Sequence, residues 1–194
     1  MAASAEGTEV PDSPINSFAL VAYLPEPLAG FVESLRRQVR TDQDPDVRAH
    51  VTILPPRPLA CLPEKAEADL EQAVSQLRPF QVELRQVLVF PSSDVLYLSI
   101  GEGERGLAEL HEKLSRGRLR FLEYFEYHPH VTLAQFIPRA DLSQAAEKSA
   151  QQWKGYSGSR RFLLDRVTLV QNTRQNHWRN LREFLLGTPV PVTI

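Results

Sequence analysis

Apolar positions fall along the chain in two rhythms, and each rhythm predicts an element. Phe18 to Leu24 is a short unbroken apolar run, as expected of a buried strand. Leu28, Phe31, Val32, Leu35 and Val39 then recur at helical spacing behind Pro25 and Pro27, which suit the first turn of a helix. A polar loop, Thr41 to Arg48, leads to a strand at His50–Leu54 that prolines 55, 56 and 58 should stop. Ala66, Leu70, Ala73, Val74 and Leu77 mark a second helix. Phe80, Val82, Leu84, Leu88 and Phe90 alternate as a strand does. The order then runs again. Val95–Ile100 is a strand, and Leu107, Leu110, His111 and Leu114 share a helical face. His130–Phe136 is a strand, and a helix follows over Leu142, Ala145, Ala146, Ser149 and Trp153 with Asp141 as its cap. Phe162–Val170 is a strand, and Trp178–Leu186 reads as an edge strand. Residues 1–16 are small, acidic and proline-rich without periodicity, and read as a disordered tail.

The recurrence points to a duplication. His50 and His130 are 80 residues apart, Phe31 and Leu110 are 79 apart, and Leu70 and Ala146 are 76 apart. Residues 17–194 are therefore read as one domain of two related halves, about 17–91 and 92–186. Each half runs strand, helix, strand, helix, strand. The expected class is α+β, with two lobes facing each other across a groove. The glycine-rich turns of a doubly wound nucleotide-binding fold are missing, which argues against the parallel-sheet alternative.

Composition narrows the compartment and the partners. Of 194 residues one is cysteine, Cys61, so no intrachain disulfide can form and a reducing cytoplasm fits. The longest apolar run is far shorter than the roughly 20 residues that span a bilayer, so no membrane partner is expected. The opening residues lack the basic and apolar regions of a signal peptide. A net charge of −2 argues against bulk duplex binding, which needs many phosphate contacts, but leaves room for one nucleotide or one strand end. A monomer is expected.

The candidate chemistry sits in two copies of one motif, His50-Val51-Thr52-Ile53 and His130-Val131-Thr132-Leu133. Residues i and i+2 of a strand share a face, so each His pairs with its Thr while the aliphatic residues turn to the core. If the halves are related by a pseudo-twofold axis, both pairs converge on one cleft. Phosphodiester cleavage needs a proton taken from the attacking oxygen and another given to the leaving oxygen. Two imidazoles with a reference pKa of about 6.5 can do both near neutrality. The Thr52 and Thr132 hydroxyls can donate to the non-bridging phosphate oxygens as charge develops there. Neither metal nor cofactor is required, and none is expected. His128 and His130 with His50 lack further ligands for a metal. No glycine-rich phosphate loop signals an ATP site.

Ala-His-Val-Thr-Ile at 49–53 and Pro-His-Val-Thr-Leu-Ala at 129–134, with Phe-Ala-Leu at 18–20 and Val-Leu-Tyr-Leu at 95–98, resemble the two-histidine phosphoesterase superfamily. The branch resembled is that of 2′-5′ RNA ligases and RNA cyclic phosphodiesterases, over about residues 17–186. The resemblance implies a bilobal fold with an antiparallel sheet in each lobe. It also implies activity on 2′,3′-cyclic phosphates or 2′,5′ linkages, with both His and both Thr catalytic. An RNA end or a nucleotide would be the partner, and a 2′-phosphate the product. Any ligation would reverse a transesterification. Many members of the branch carry a basic residue soon after the second motif, where this chain has Gln135; Arg57 and Arg174 are the candidate replacements. Tyr23 and Phe136 adjoin the motif strands and are candidates to stack a base. His111 reads as packing or surface, and His177 as part of a turn. The motifs are nearly symmetric, so which histidine is acid and which is base stays open. A non-catalytic binder of RNA ends in the same groove is the competing reading.

Overall fold

A computed structural model describes residues 12–39 and 47–187. In chain order the elements are β1 (Pro14–Tyr23), α1 (Leu28–Val39), β2 (His50–Arg57), α2 (Pro63–Ser75), β3 (Phe80–Val89), β4 (Leu96–Ile100) and α3 (Glu104–Leu114). A short 3-10 turn, Gly117–Leu119, is followed by β5 (His130–Ala134), α4 (Arg139–Lys154), β6 (Arg161–Leu164), β7 (Arg166–Thr173) and β8 (Trp178–Leu185). The strands form two antiparallel sheets, in the orders β2-β1-β7-β8 and β5-β4-β3-β6. The α+β class with two antiparallel sheets is thus observed.

The apolar runs explain the placement of the strands. Phe18 to Ala22 are all buried because β1 is central in its sheet and covered on both faces. Phe18, Leu20 and Ala22 enter the main core, while Ala19 and Val21 join Val170 in a small second cluster on the opposite face. The main core is continuous: both sheets and all four helices contribute to it. Val51, Ile53, Val131 and Leu133 lie in it with no exposure. Burial of such side chains contributes about 1.5–3 kcal/mol each, and a one-residue slip would turn them to solvent. That cost fixes which face of β2 and β5 is left for His and Thr.

Several expected boundaries move. The tail is shorter than residues 1–16: Pro14 to Asn16 already belong to β1, and Asp12 and Ser13 are tied to the β7–β8 turn. There the Thr173 hydroxyl, then His177 and the Gln175 amide, hold the Asp12 carboxyl down at about 2. Residues 1–11 and 40–46, the latter including 41–46 of the expected polar loop, lie outside the described residues. Helix α1 begins at Leu28, after both prolines rather than on them. Strand β2 runs through Pro55 and Pro56 to Arg57, because it is an edge strand and its missing N–H groups break no ladder. Asp141 does not cap α4; it lies inside the first turn, behind Pro138 at the cap position. The strand expected over Phe162–Val170 is two strands, β6 and β7, in different sheets.

Candidate active site

The two His-x-Thr motifs open β2 and β5, the outermost strands of their sheets, and these strands lie against each other. Helix α3 packs on β2 and helix α1 on β5, the arrangement a pseudo-twofold axis produces. In both strands the burial pattern is the same: His and Thr half-buried, the alternate aliphatic residues fully buried. Both aliphatic faces enter one core, so both polar faces open on the side away from it. Across the ladders His50 stands opposite Tyr23, Thr52 opposite Val21, His130 opposite Ser99 and Thr132 opposite Tyr97.

The imidazoles are held alike. His50 Nδ1 donates to the Arg48 carbonyl at 2.7 Å, and His130 Nδ1 donates to the His128 carbonyl at 2.7 Å. A carbonyl only accepts, so Nδ1 carries hydrogen in each ring and Nε2 is left as the atom that gains or loses a proton. Their surroundings differ. The edges of Phe90 and Tyr97 approach His130 at 5.0 and 5.5 Å, with Phe90 itself stacked on Tyr97 at 3.9 Å. Burial there pushes the His130 pKa below its ordinary 6.5, outweighing the opposing hydrogen bond to His128. His50 meets the edge of Tyr23 at 6.2 Å, and the Arg48 guanidinium lies over the Tyr23 ring at 4.2 Å. Tyr23 also donates to Asn180 Oδ1 at 2.6 Å, tying β1 to β8. Burial raises the Tyr23 pKa, so its hydroxyl stays a donor.

Not every residue singled out by the sequence lies beside a motif histidine. Arg57 is 3% exposed and spends its donors within the protein. Its Nε donates to Pro55 O, Nη1 to Leu119 O and Ser115 Oγ, and Nη2 to Glu123 at 2.6 Å. With those donors engaged, Arg57 pins the 115–123 segment instead of binding a phosphate. Phe136 follows the end of β5 at φ 61°, is 75% exposed and touches no other ring among the described residues. Arg174 is bonded to Ser13 in the β7–β8 turn. Gln135 is exposed just past β5. Tyr23 alone of the three expected binding residues is brought to a histidine. The aromatic contacts to His130 come from Phe90 and Tyr97, and the exposed cation beside His50 is Arg48. The strand register through Val-Leu-Tyr-Leu was the signal for Tyr97; Arg48 sits two residues before its histidine, where loop geometry decides.

His111 is neither loose surface nor a ligand. Its Nδ1 donates to Ile53 O at 2.7 Å, its ring stacks on Tyr127 at 4.0 Å, and Nε2 lies 3.6 Å from Glu123. Tyr127 donates to Thr52 O at 2.8 Å. These two side chains satisfy carbonyls of β2, an edge strand among the described residues. His177 lies in the β7–β8 turn, 3.0 Å from Asp12. Among the described residues no group of three or more His, Cys, Asp or Glu is placed to hold a metal, and no helix is long and apolar enough to cross a membrane.

A family profile described as the 2′-5′ RNA ligase superfamily matches residues 24–176. The chain is 27% identical over 165 residues to a protein of Halalkalibacterium halodurans that carries the name "putative phosphoesterase", covering 80% of this chain and 91% of that one. It superposes on the crystal structure of Escherichia coli LigT complexed with 3′-AMP with a TM-score of 0.61 and 17% identity, over 88% of this chain and 98% of the other. The protein TT0787 of Thermus thermophilus gives a TM-score of 0.62 at 18% identity, over 89% and 98%. These likenesses establish the fold of the solved structures in this chain.

Proposed function

The chain belongs to the 2′-5′ RNA ligase superfamily, and from that premise we propose that it is a metal-independent phosphodiesterase opening 2′,3′-cyclic phosphates on RNA ends or nucleotides. The observation that carries this reading is the matched pair of imidazoles. Each is pinned through Nδ1 to the carbonyl two residues back, and each stands beside a threonine on the face turned away from the core. That LigT, of the same fold, has been crystallised with 3′-AMP supports a nucleotide in the groove.

His130, held neutral by its burial, takes the role of base. Its Nε2 removes a proton from water as the water oxygen bonds to phosphorus. His50, protonated, gives a proton from Nε2 to the ribose 3′ oxygen as the phosphorus–O3′ bond breaks, leaving a 2′-phosphate. Thr52 and Thr132 donate to the two non-bridging oxygens, and the Arg48 guanidinium offsets their charge from the His50 side. General acid–base help of this kind contributes roughly 10²–10⁴-fold. With a ribose 5′ hydroxyl in place of water as the attacking oxygen, the same groups would open the cyclic phosphate into a 2′,5′ linkage without nucleotide energy.

The test is turnover of cyclic mononucleotides and 2′,5′-linked dinucleotides in the presence of EDTA. Wild-type turnover should persist. His50→Ala and His130→Ala should each remove most of it, and the double variant should be scarcely worse, because both groups act in one transition state. Near-normal turnover by either single variant, with melting temperature unchanged, would refute the mechanism. If the wild type binds these compounds and turns none over, the groove is a binding site for RNA ends only.

A further inference from the structure

The segment between the 3-10 turn and β5 is fastened to β2 at two points. At one, Glu123 receives the buried Arg57 at 2.6 Å. At the other, Tyr127 donates to Thr52 O and stacks on His111. Between these anchors Tyr124 and Phe125 stand 88% and 82% exposed, with Leu122 beside them at 80%. The backbone on either side is fixed, so the rings are held out in water and not folded away. The next residues, Glu126, Tyr127, His128 and Pro129, line a recess of about 460 Å³ against Glu104 and Arg105 of α3. His128 lies edge-on to Phe90 and Tyr97, the same rings that pack on His130. The recess is thus next to the second motif, and the exposed rings are next to the recess.

We propose that this segment is a second subsite, for the unpaired strand that leads away from the reacting phosphate. The recess takes one base, and Phe125 and Tyr124 stack the one or two that follow. The proposal rests on the RNA-end reading above and specifies its substrate: an oligonucleotide end is preferred to a free mononucleotide. Glu104 and Glu126 repel a phosphate but can accept hydrogen bonds from exocyclic amino groups, and Arg105 on the same wall is already paired with Glu109, so a base suits the recess better than the backbone. Arg116, Arg118 and Arg120 alternate just upstream of the rings. Arg116 is paired with Glu112 and Arg118 with Asp69, while Arg120 is exposed and has no ion-pair partner among the described residues. Stacking tolerates any base, because every base has a π face. A second copy of this chain is a poorer occupant. Leu122, Tyr124 and Phe125 offer about 500 Å² at roughly 150–250 Å² per aromatic side chain, short of the roughly 800 Å² per partner of a stable interface.

The experiment uses the full chain and a 5′-fluorescein hexadeoxyadenylate with a 3′-phosphate, which cannot cyclise and so reports binding without turnover. Anisotropy gives its affinity, and competition gives that of deoxyadenosine 3′-phosphate. The wild type should bind the hexamer at least tenfold more tightly, and Tyr124→Ser/Phe125→Ser should shrink that preference by about tenfold, the effect of one lost stacked base. With at most one further phosphate contacted, by Arg120, the preference for the hexamer over the mononucleotide should change little with salt. Equal affinities of the wild type for hexamer and mononucleotide would overturn the proposal. So would an unchanged preference in the double variant, or a wild-type dimer in sedimentation that the double substitution abolishes. Turnover of cyclic AMP isomers by the wild type, measured alongside, reads the phosphodiesterase separately, so that either conclusion can fail without the other.

Discussion

His50 and His130 occupy identical motifs, and what separates them is the neighbours the fold supplies. Phe90 and Tyr97 shield His130 from water, and the penalty falls on its charged form. The acid limb of a single-turnover kcat/KM profile should therefore lie below pH 6.5. Replacing Phe90 with Asn, which admits water, should move that limb upward; an unmoved limb would deny His130 the role of base. Stability should carry the same signature. The folded protein binds fewer protons at His130 than the unfolded chain does, so this group's contribution is complete above about pH 6.5. It is lost as pH falls through the lowered folded value. Melting temperatures taken across that window should fall less steeply with acid in His130→Gln than in the wild type. Arg57 shows the opposite kind of residue. It follows the first motif, which made it a candidate for the phosphate. Alternation counted from His50 puts Arg57, seven residues on, on the core face with Val51 and Ile53, and the two register shifts along the β1–β2 pairing leave it there, opposite Phe18. The inward turn of Arg57 was therefore legible; its partners Ser115, Leu119 and Glu123, far along the chain, were not. Arg57→Ala leaves the half-buried Glu123 with only His111 beside it, and should cost about 3 kcal/mol, seen as a lower denaturation midpoint at unchanged m-value.

At the scale of elements, what was legible is what periodicity controls. The helices over α1 to α4 and the motif strands lie where apolar spacing puts them, because each buries a stripe or a face in the one core. What was missed depends on partners distant in sequence. Pro55 and Pro56 end a central strand but not an edge strand, and edge position is a property of the sheet. The split of Phe162–Val170 was written in the chain: Phe162, Leu164, Val167 and Leu169 are buried, so the alternation slips by one at Asp165. That slip hands β6 to one sheet and β7 to the other. The pairing of His111 and Tyr127 with the free edge of β2 had no sequence signal, since the partners are main-chain carbonyls. Tyr127→Phe removes one buried donor from Thr52 O and should cost about 1 kcal/mol. Because Thr52 follows His50 on that strand, the variant should lower kcat more than it raises KM. A loss confined to KM would show that Tyr127 serves binding and not the position of the strand.

For the whole molecule, the duplicated order of elements conceals an exchange. The first sheet takes β1 and β2 from residues 17–91 and β7 and β8 from residues 92–186. The second takes β4, β5 and β6 from the later half and β3 from the earlier one. Each half sends its last strands to the sheet of the other. The element order would be the same had each half kept its own strands, so the repeat alone could not reveal it. The turn between β3 and β4 could have: Phe90 N bonds to Val95 O across Pro-Ser-Ser-Asp, and so short a link makes sequential strands pair. The exchange also brings β2 and β5 together, since both sheets then share one core. It follows that neither half should fold alone. Residues 1–91 would hold a two-stranded β1–β2 pair and an orphaned β3. Residues 92–194 would lack β1, which flanks β7, and β3, which stands between β4 and β6. A two-stranded pair is marginal in water, and half of a continuous core leaves its leucines exposed. Circular dichroism of each fragment should show no cooperative melt, whereas mixing them in equal amounts should restore a single transition and turnover together. A cooperative melt of either fragment by itself, near the temperature of the full chain, would mean that the halves are independent lobes and that the exchange plays no part in holding the site.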